Sequence, residues 1–170
     1  TGDARQVLVA EHVRHGRQRA DEGKLDEAEA SMRLGLAIDD SDPSALASLS
    51  HVQYQKGDYP ASIATLRKAV AVRPSRELQA QLSSTLISAA VALARSDKHA
   101  EAVPLYREAI ELDPASAIAM YDLGLALFAL RDFEGARSAV ERSIAVRPRR
   151  DAHELLADIL QAVVQPRIRR

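Results

Sequence analysis

The chain has 170 residues, 46% of them hydrophobic and 28% charged, which is one domain's worth of ordinary globular sequence. Its 23 Lys and Arg against 24 Asp and Glu leave a net charge of −1, which excludes both a strongly basic nucleic-acid footprint and an acidic, tail-like composition. With no Cys, disulfides, thiolate metal sites and a Cys nucleophile are excluded as well, and no apolar run approaches the roughly 18 residues of a membrane span.

Aromatic residues make up 4% and Trp is absent, which leaves few platforms for stacking single-stranded bases. Alanine, at 31 residues, favours helix because it has the best intrinsic helix propensity. Arg outnumbers Lys 19 to 4, a codon-usage mark of a GC-rich, bacterial genome. Thr1-Gly2-Asp3 opens the chain without a Met, a charged n-region or an apolar h-region. No signal peptide is read there, and the chain reads as an excised piece. The compartment is left open between cytoplasm and periplasm, with cytoplasm the first expectation.

The first helical stretch carries His12 and His15, three apart beside Glu11. A third ligand is missing, so this reads as a solvated basic helix face and not as a metal site. Asp39, Asp40 and Asp42 lack the Gly and the distal Glu of a calcium loop. They read as a turn, with Asp42 capping the next helix and Pro43 at its first position. Segment 45–59 then reads like segment 117–133, and 61–74 reads like 102–114 and 136–148. Apolar residues recur at three and four, as in Ile63, Leu66 and Val70 or Leu105, Ala109 and Leu112, which predicts helices throughout. Gly57-Asp58, Asp97-Lys98 and Arg131-Asp132 mark turns, and Pro74, Pro114 and Pro148 each close a helix that they cannot continue. Leu78, Leu82, Leu86, Ala89 and Leu93 lie on one helical stripe between the second and third of these segments. After Pro148, Asp151 with Glu154 three residues on predicts a capping box. Leu155, Leu156, Ile159, Leu160, Val163 and Val164 form one apolar stripe that ends at Pro166. Arg147, Arg149 and Arg150, and again Arg167, Arg169 and Arg170, read as solvated helix ends, the last group in a frayed tail.

Each inner turn lies 17 residues before its closing Pro, and with this spacing the chain resembles the tetratricopeptide repeat, a 34-residue helix–turn–helix unit. The family wants small residues at positions 8, 20 and 27, where paired helices cross closely. On units 9–42, 43–76, 83–116 and 117–150, position 8 is Gly16, Ser50, Ala90 and Gly124. Position 20 is Ala28, Ser62, Ala102 and Ala136, and position 27 is Gly35, Ala69, Ala109 and Ser143. All twelve are Gly, Ala or Ser in a chain where those types make up 52 of 170 residues, an agreement well beyond chance. Leu46, Leu86 and Met120 at position 4, and Tyr59 and Phe133 at position 17, agree too. The first unit departs: His12, His15 and Arg19 stand at positions 4, 7 and 11, implying either a shifted register or a polar terminal cap. Residues 77–82 are extra to the frame and are expected to lengthen a helix by about 9 Å. The expected architecture is therefore an all-α, right-handed solenoid of four units forming one domain over 1–170. A helix at 151–165 is expected to cap it.

In the resembled family, positions 2, 5, 9, 12 and 13 line a concave groove that binds peptides. They include Val13 in the first unit, and the groove residues expected to matter here are Arg17, His51, Tyr54, Ile87, Val91, Arg95, Tyr121, Leu125 and Phe128. The Lys and Asn with which chaperone-binding members clamp a terminal carboxylate are absent from positions 5 and 9. No phosphate loop and no nucleophile–His–acid pattern is present, so catalysis, a cofactor and a metal are not expected. The reading is a non-catalytic scaffold that binds a peptide or helix of a partner protein, with no nucleic acid and no membrane span. The alternatives are self-assembly with copies of itself, or the recruiting domain of a larger enzyme. The groove side of the third and fourth units is apolar, and two occupants are open: a partner segment, or the chain's own last helix.

Overall fold

A computed structural model describes residues 2–164, and every regular element among them is an α-helix. In chain order these are α1 (Gly2–Asp21), α2 (Leu25–Ile38), α3 (Pro43–Gln55), α4 (Tyr59–Val72), α5 (Arg76–Arg95), α6 (His99–Leu112), α7 (Ala117–Ala129), α8 (Phe133–Val146) and α9 (Arg150–Val164). Pro166 and the Arg167–Arg170 tail lie outside the described residues.

Local chemistry explains the helix ends. Asp42, Asp58, Ser116 and Asp132 each accept a hydrogen bond from the backbone N–H three residues on, so α3, α4, α7 and α8 begin with a satisfied donor. Pro43 sits at the first position of α3, where its missing N–H costs nothing. The four short turns inside the helix pairs use a residue with left-handed backbone: Gly23, Gly57, Asp97 and Arg131, with φ of 76°, 77°, 61° and 64°. Two of the four are not glycine and carry the steric cost of a Cβ in that region. Helices α4, α6 and α8 stop two residues before Pro74, Pro114 and Pro148. Helix α5 is 20 residues long against 13 for α3 and α7, and residues 77–82 fall in its first turns.

The chain divides into two compact units, residues 1–85 and 86–170, with the division inside α5. In the first unit, Val9, Val13, Met32, Ala45 and Leu49 form a core cluster. In the second, Tyr106, Met120, Leu127, Val140 and Ile159 are among its most enclosed members.

All twelve small residues at the helix crossings are buried. A Cβ placed on Gly16 would stand 2.7 Å from Met32 Cε and 3.1 Å from the Ala28 carbonyl oxygen. On Gly124 it would stand 2.4 Å from Val140 Cγ2 and 3.4 Å from the Ala136 carbonyl oxygen. The helices therefore meet backbone to side chain at these points, and α8 presents Val140 to Gly124 more closely than Ala136. Two serines fill the same role by bonding across the crossing: Ser62 Oγ donates to the Ser50 carbonyl at 2.8 Å, and Ser143 Oγ to the Ala117 carbonyl at 2.7 Å.

Two expectations are corrected. Val13 is not a free groove side chain: it lines a cavity of about 420 Å³ with Arg17, but it is 4% exposed and belongs to the core with Val9 four residues earlier. Helix α1 has so few apolar residues that the Val9–Val13–Gly16 line becomes its inward stripe. The capping box of Asp151 and Glu154 does not form either. Helix α9 begins at Arg150, Asp151 accepts from Ala152 N and from Arg149, and Glu154 pairs with Arg150. The arginines flanking the cap take both carboxylates.

Candidate functional site

In the first unit, Arg17 is exposed on α1 and donates through Nε to Ser48 Oγ at 3.0 Å and through Nη2 to Ser44 Oγ at 3.1 Å. It thereby ties α1 to α3. His51 and Tyr54 are exposed on α3, and the Tyr54 ring meets Tyr59 edge to face at 5.5 Å. Three adjoining cavities of about 420, 360 and 440 Å³ run along this face. The first two share Arg17 and Asp21, and the last two share His51, Glu77 and Gln81. Arg17 and His51 thus line one cavity, and His51 and Tyr54 line the next. Charged residues of both signs line these cavities, among them Arg17, Asp21 and Glu77, together with apolar ones such as Val9, Val13 and Leu66.

Of His12 and His15, the residues weighed for a metal, His15 has protein partners. His15 Nδ1 lies 2.9 Å from Ser31 Oγ, and Arg19 Nε donates to His15 Nε2 at 3.3 Å. Among the described residues no three His, Asp or Glu side chains gather around one point.

In the second unit the chemistry differs. Ile87 and Val91 on α5, and Tyr121 and Phe128 on α7, are half-buried and pack against the same core, whereas Leu125 is 40% exposed. Arg95 is exposed. Positions 121, 125 and 128 share one side of α7 because residues three and four apart are neighbours on a helix. The residue that precedes the last helix touches this side at one end. Arg149, at the head of α9, places its guanidinium 5.4 Å from the centre of the Tyr121 ring. At the other end, Phe128 packs on Phe133 at 5.8 Å, and Arg131 lies over Phe133 at 5.7 Å. Leu125, between them, has neither cover.

The sequence did not single out Asp122. It is half-buried beside Tyr121, and burial raises its pKa against the opposing pull of Arg149. The Tyr106 and Tyr121 hydroxyls are also raised, first by burial and then by nearby negative charge that includes Asp122. A charged residue one step away from an apolar stripe gives no sequence signal of burial, which here depends on how the neighbouring elements pack.

Stacked helix pairs that bury small residues at their crossings, and leave one side of each first helix free, define the class of helical-repeat interaction scaffolds. The chain belongs to the tetratricopeptide-repeat family: profiles of that repeat match residues 43–76, 87–152 and 121–162, together well over half of the chain. Solved structures agree on the fold. A MamA RS-1 double mutant aligns with a TM-score of 0.63 at 18% identity, covering 94% of this chain and 87% of that one. MamA AMB-1 aligns with a TM-score of 0.63 at 19% identity, covering 93% and 84%. A MamA fragment from Desulfovibrio magneticus RS-1 aligns with a TM-score of 0.58 at 18% identity, covering 95% and 97%. At these identities the likeness is one of fold. No curated protein matches by sequence.

Proposed function

We propose that the chain is a non-catalytic scaffold whose first helices dock a helix or extended segment of a partner protein. The frame is the four units 9–42, 43–76, 83–116 and 117–150. Arg17, His51 and Tyr54 supply polar contacts within residues 1–85. Ile87, Val91, Arg95, Tyr121, Leu125 and Phe128 supply the face of residues 86–170. One observation carries the reading: Leu125 stays 40% exposed in a stripe flanked by the aromatic rings of Tyr121 and Phe128. An apolar patch of this kind marks a protein-interaction site more often than bare surface.

The test is a display library of amphipathic helical peptides of about 18 residues, long enough for five turns. It is selected in parallel on the natural chain and on the Leu125→Asp variant, with a thermal melt of both. Docking predicts peptides that bind the natural chain, lose binding to Leu125→Asp, and leave the melting temperature nearly unchanged. An absence of selected peptides, or equal binding to both chains, contradicts it.

A further inference from the structure

Helix α7 turns Met120, Leu123, Gly124 and Leu127 inward and leaves Ile118 and Leu125 at 52% and 40% exposure on its other side. Asp122 lies between these two, four residues after Ile118 and three before Leu125, so the three side chains are neighbours on one helix surface. An acidic residue in such a place is unremarked when water surrounds it. Asp122 is half-buried, and among the described residues no hydrogen bond reaches its carboxylate. The cation that faces it, Arg149, is already committed. Its Nε donates to one oxygen of Asp151 at 3.1 Å, its Nη2 donates to the other, and its plane lies over Tyr121. The raised pKa of Asp122 records the outcome, with lost hydration outweighing the attraction of Arg149. A half-buried carboxylate that has lost part of its hydration is the point on this face where an arriving cation gains most.

Resting on the docking function proposed above, we infer that this face takes a partner of one chemistry: an amphipathic helix whose apolar stripe covers Leu125 and Phe128 and which carries a single Lys or Arg that pairs with Asp122. The charge fixes register as well as affinity. An apolar stripe alone can slide along Ile118, Leu125 and Phe128 in steps of one turn, whereas a cation has one place to stop. Like-charged segments are rejected, because a Glu or Asp in that position would bring two carboxylates together in a partly dehydrated site.

The experiment uses the same display library on the full chain, with all residue types allowed at the positions flanking the apolar stripe. Lys or Arg is expected at one fixed position of the selected peptides. A synthetic peptide of that sequence is expected to bind Asp122→Asn about 10-fold more weakly, the scale of a hydrogen bond to a charged group. Replacing the peptide's cation by norleucine tests the same pair with the protein unaltered, and the same loss is expected. Peptides that depend on Leu125 but show no fixed cation, or bind Asp122→Asn equally well, overturn this inference and leave docking intact. A failure to select any peptide removes docking itself, and the charge pairing with it. A dimer in light scattering that Leu125→Asp converts to monomer places a second copy on the face and overturns the proposed partner.

Discussion

The two units build their helix pairs in the same way and differ in the side chains that they present. Gly16, Ala28 and Met32 meet in the first unit as Gly124, Ala136 and Val140 meet in the second, at identical spacing. On the outer side of the first helices, unit 1 offers the polar side chains Arg17, His51, Glu77 and Gln81 along a run of cavities, while unit 2 offers Tyr121, Leu125 and Phe128. Packing uses one sector of each helix and recognition another, 3.6 residues to the turn, so the second can change without disturbing the first. The turns differ as well. Unit 1 places glycine at its two left-handed positions, and unit 2 places Asp97 and Arg131 there.

The largest expected effect breaks the second unit at its end. Truncation after Arg150 removes Leu155 and Ile159, which are 7% and 0% exposed. At about 1.5–3 kcal/mol for each buried aliphatic side chain, several kcal/mol of stability are lost. The shortened chain should melt lower or aggregate; an unchanged melt would mean that α9 does not stabilise the unit. Next comes the crossing. Gly124→Leu drives a side chain into stiff, β-branched Val140 and should cost about 1–3 kcal/mol by overpacking, despite better helix propensity. Gly16→Ala should cost less than Gly124→Ala, because its nearest obstacle is the flexible end of Met32. A chemical-denaturation series that reverses this order would contradict the shared crossing geometry.

The turns sharpen the comparison at a smaller scale. Gly57→Ala should destabilise by about 1 kcal/mol, since a Cβ is disfavoured at φ of 77°. Arg131→Gly should stabilise by less than that, because relief of strain is offset by the greater freedom of glycine in the unfolded chain. Denaturation midpoints of the two variants should move in opposite directions.

Asp122 provides the smallest and most specific effect. Its pKa in the folded chain lies above its ordinary value of 3.8, so folding favours the protonated acid. The favourable contribution of that group is complete below 3.8 and is lost as pH rises through the folded value. Asp122→Asn, which imitates the protonated form, should raise the melting temperature at pH 7, with a gain that fades as pH approaches 3.8. Arg149, Asp151, Glu154, Tyr106 and Tyr121 surround the site. All of them are the same in both chains. A gain that persists unchanged at low pH would assign the effect to something other than ionisation.

Much of this was legible from residue types. The twelve small residues and the prolines fixed in place after each pair mark where helices cross and stop, because close approach and helix termination have strict steric demands. Arg131 and Asp97 were legible as turns but not as left-handed residues, since their unfavourable backbone is imposed by the pairing of the helices around them. Val13 was only partly read: it lines a cavity with Arg17 as the repeat frame implies, but the scarcity of other apolar residues in α1 also makes it core. Glu154 was misassigned because Arg150 competes for it, and a capping pattern takes no account of neighbouring charges. Asp122 gave no sign of its burial for the reason that α7 shows it: its sequence neighbours are three and four residues away, but its dehydration comes from other elements.

The central claim is that the Leu125 side of α7 docks a partner and is not core. The most direct measurement compares Leu125→Asp with Leu123→Asp, two residues away on the same helix and 5% exposed. Each variant is melted and then tested against a peptide selected on the natural chain. Docking predicts that Leu125→Asp abolishes peptide binding and melts within a few degrees of the natural chain, while Leu123→Asp unfolds it. If Leu125→Asp unfolds the chain as Leu123→Asp does, or binds the peptide undiminished, the docking account is wrong.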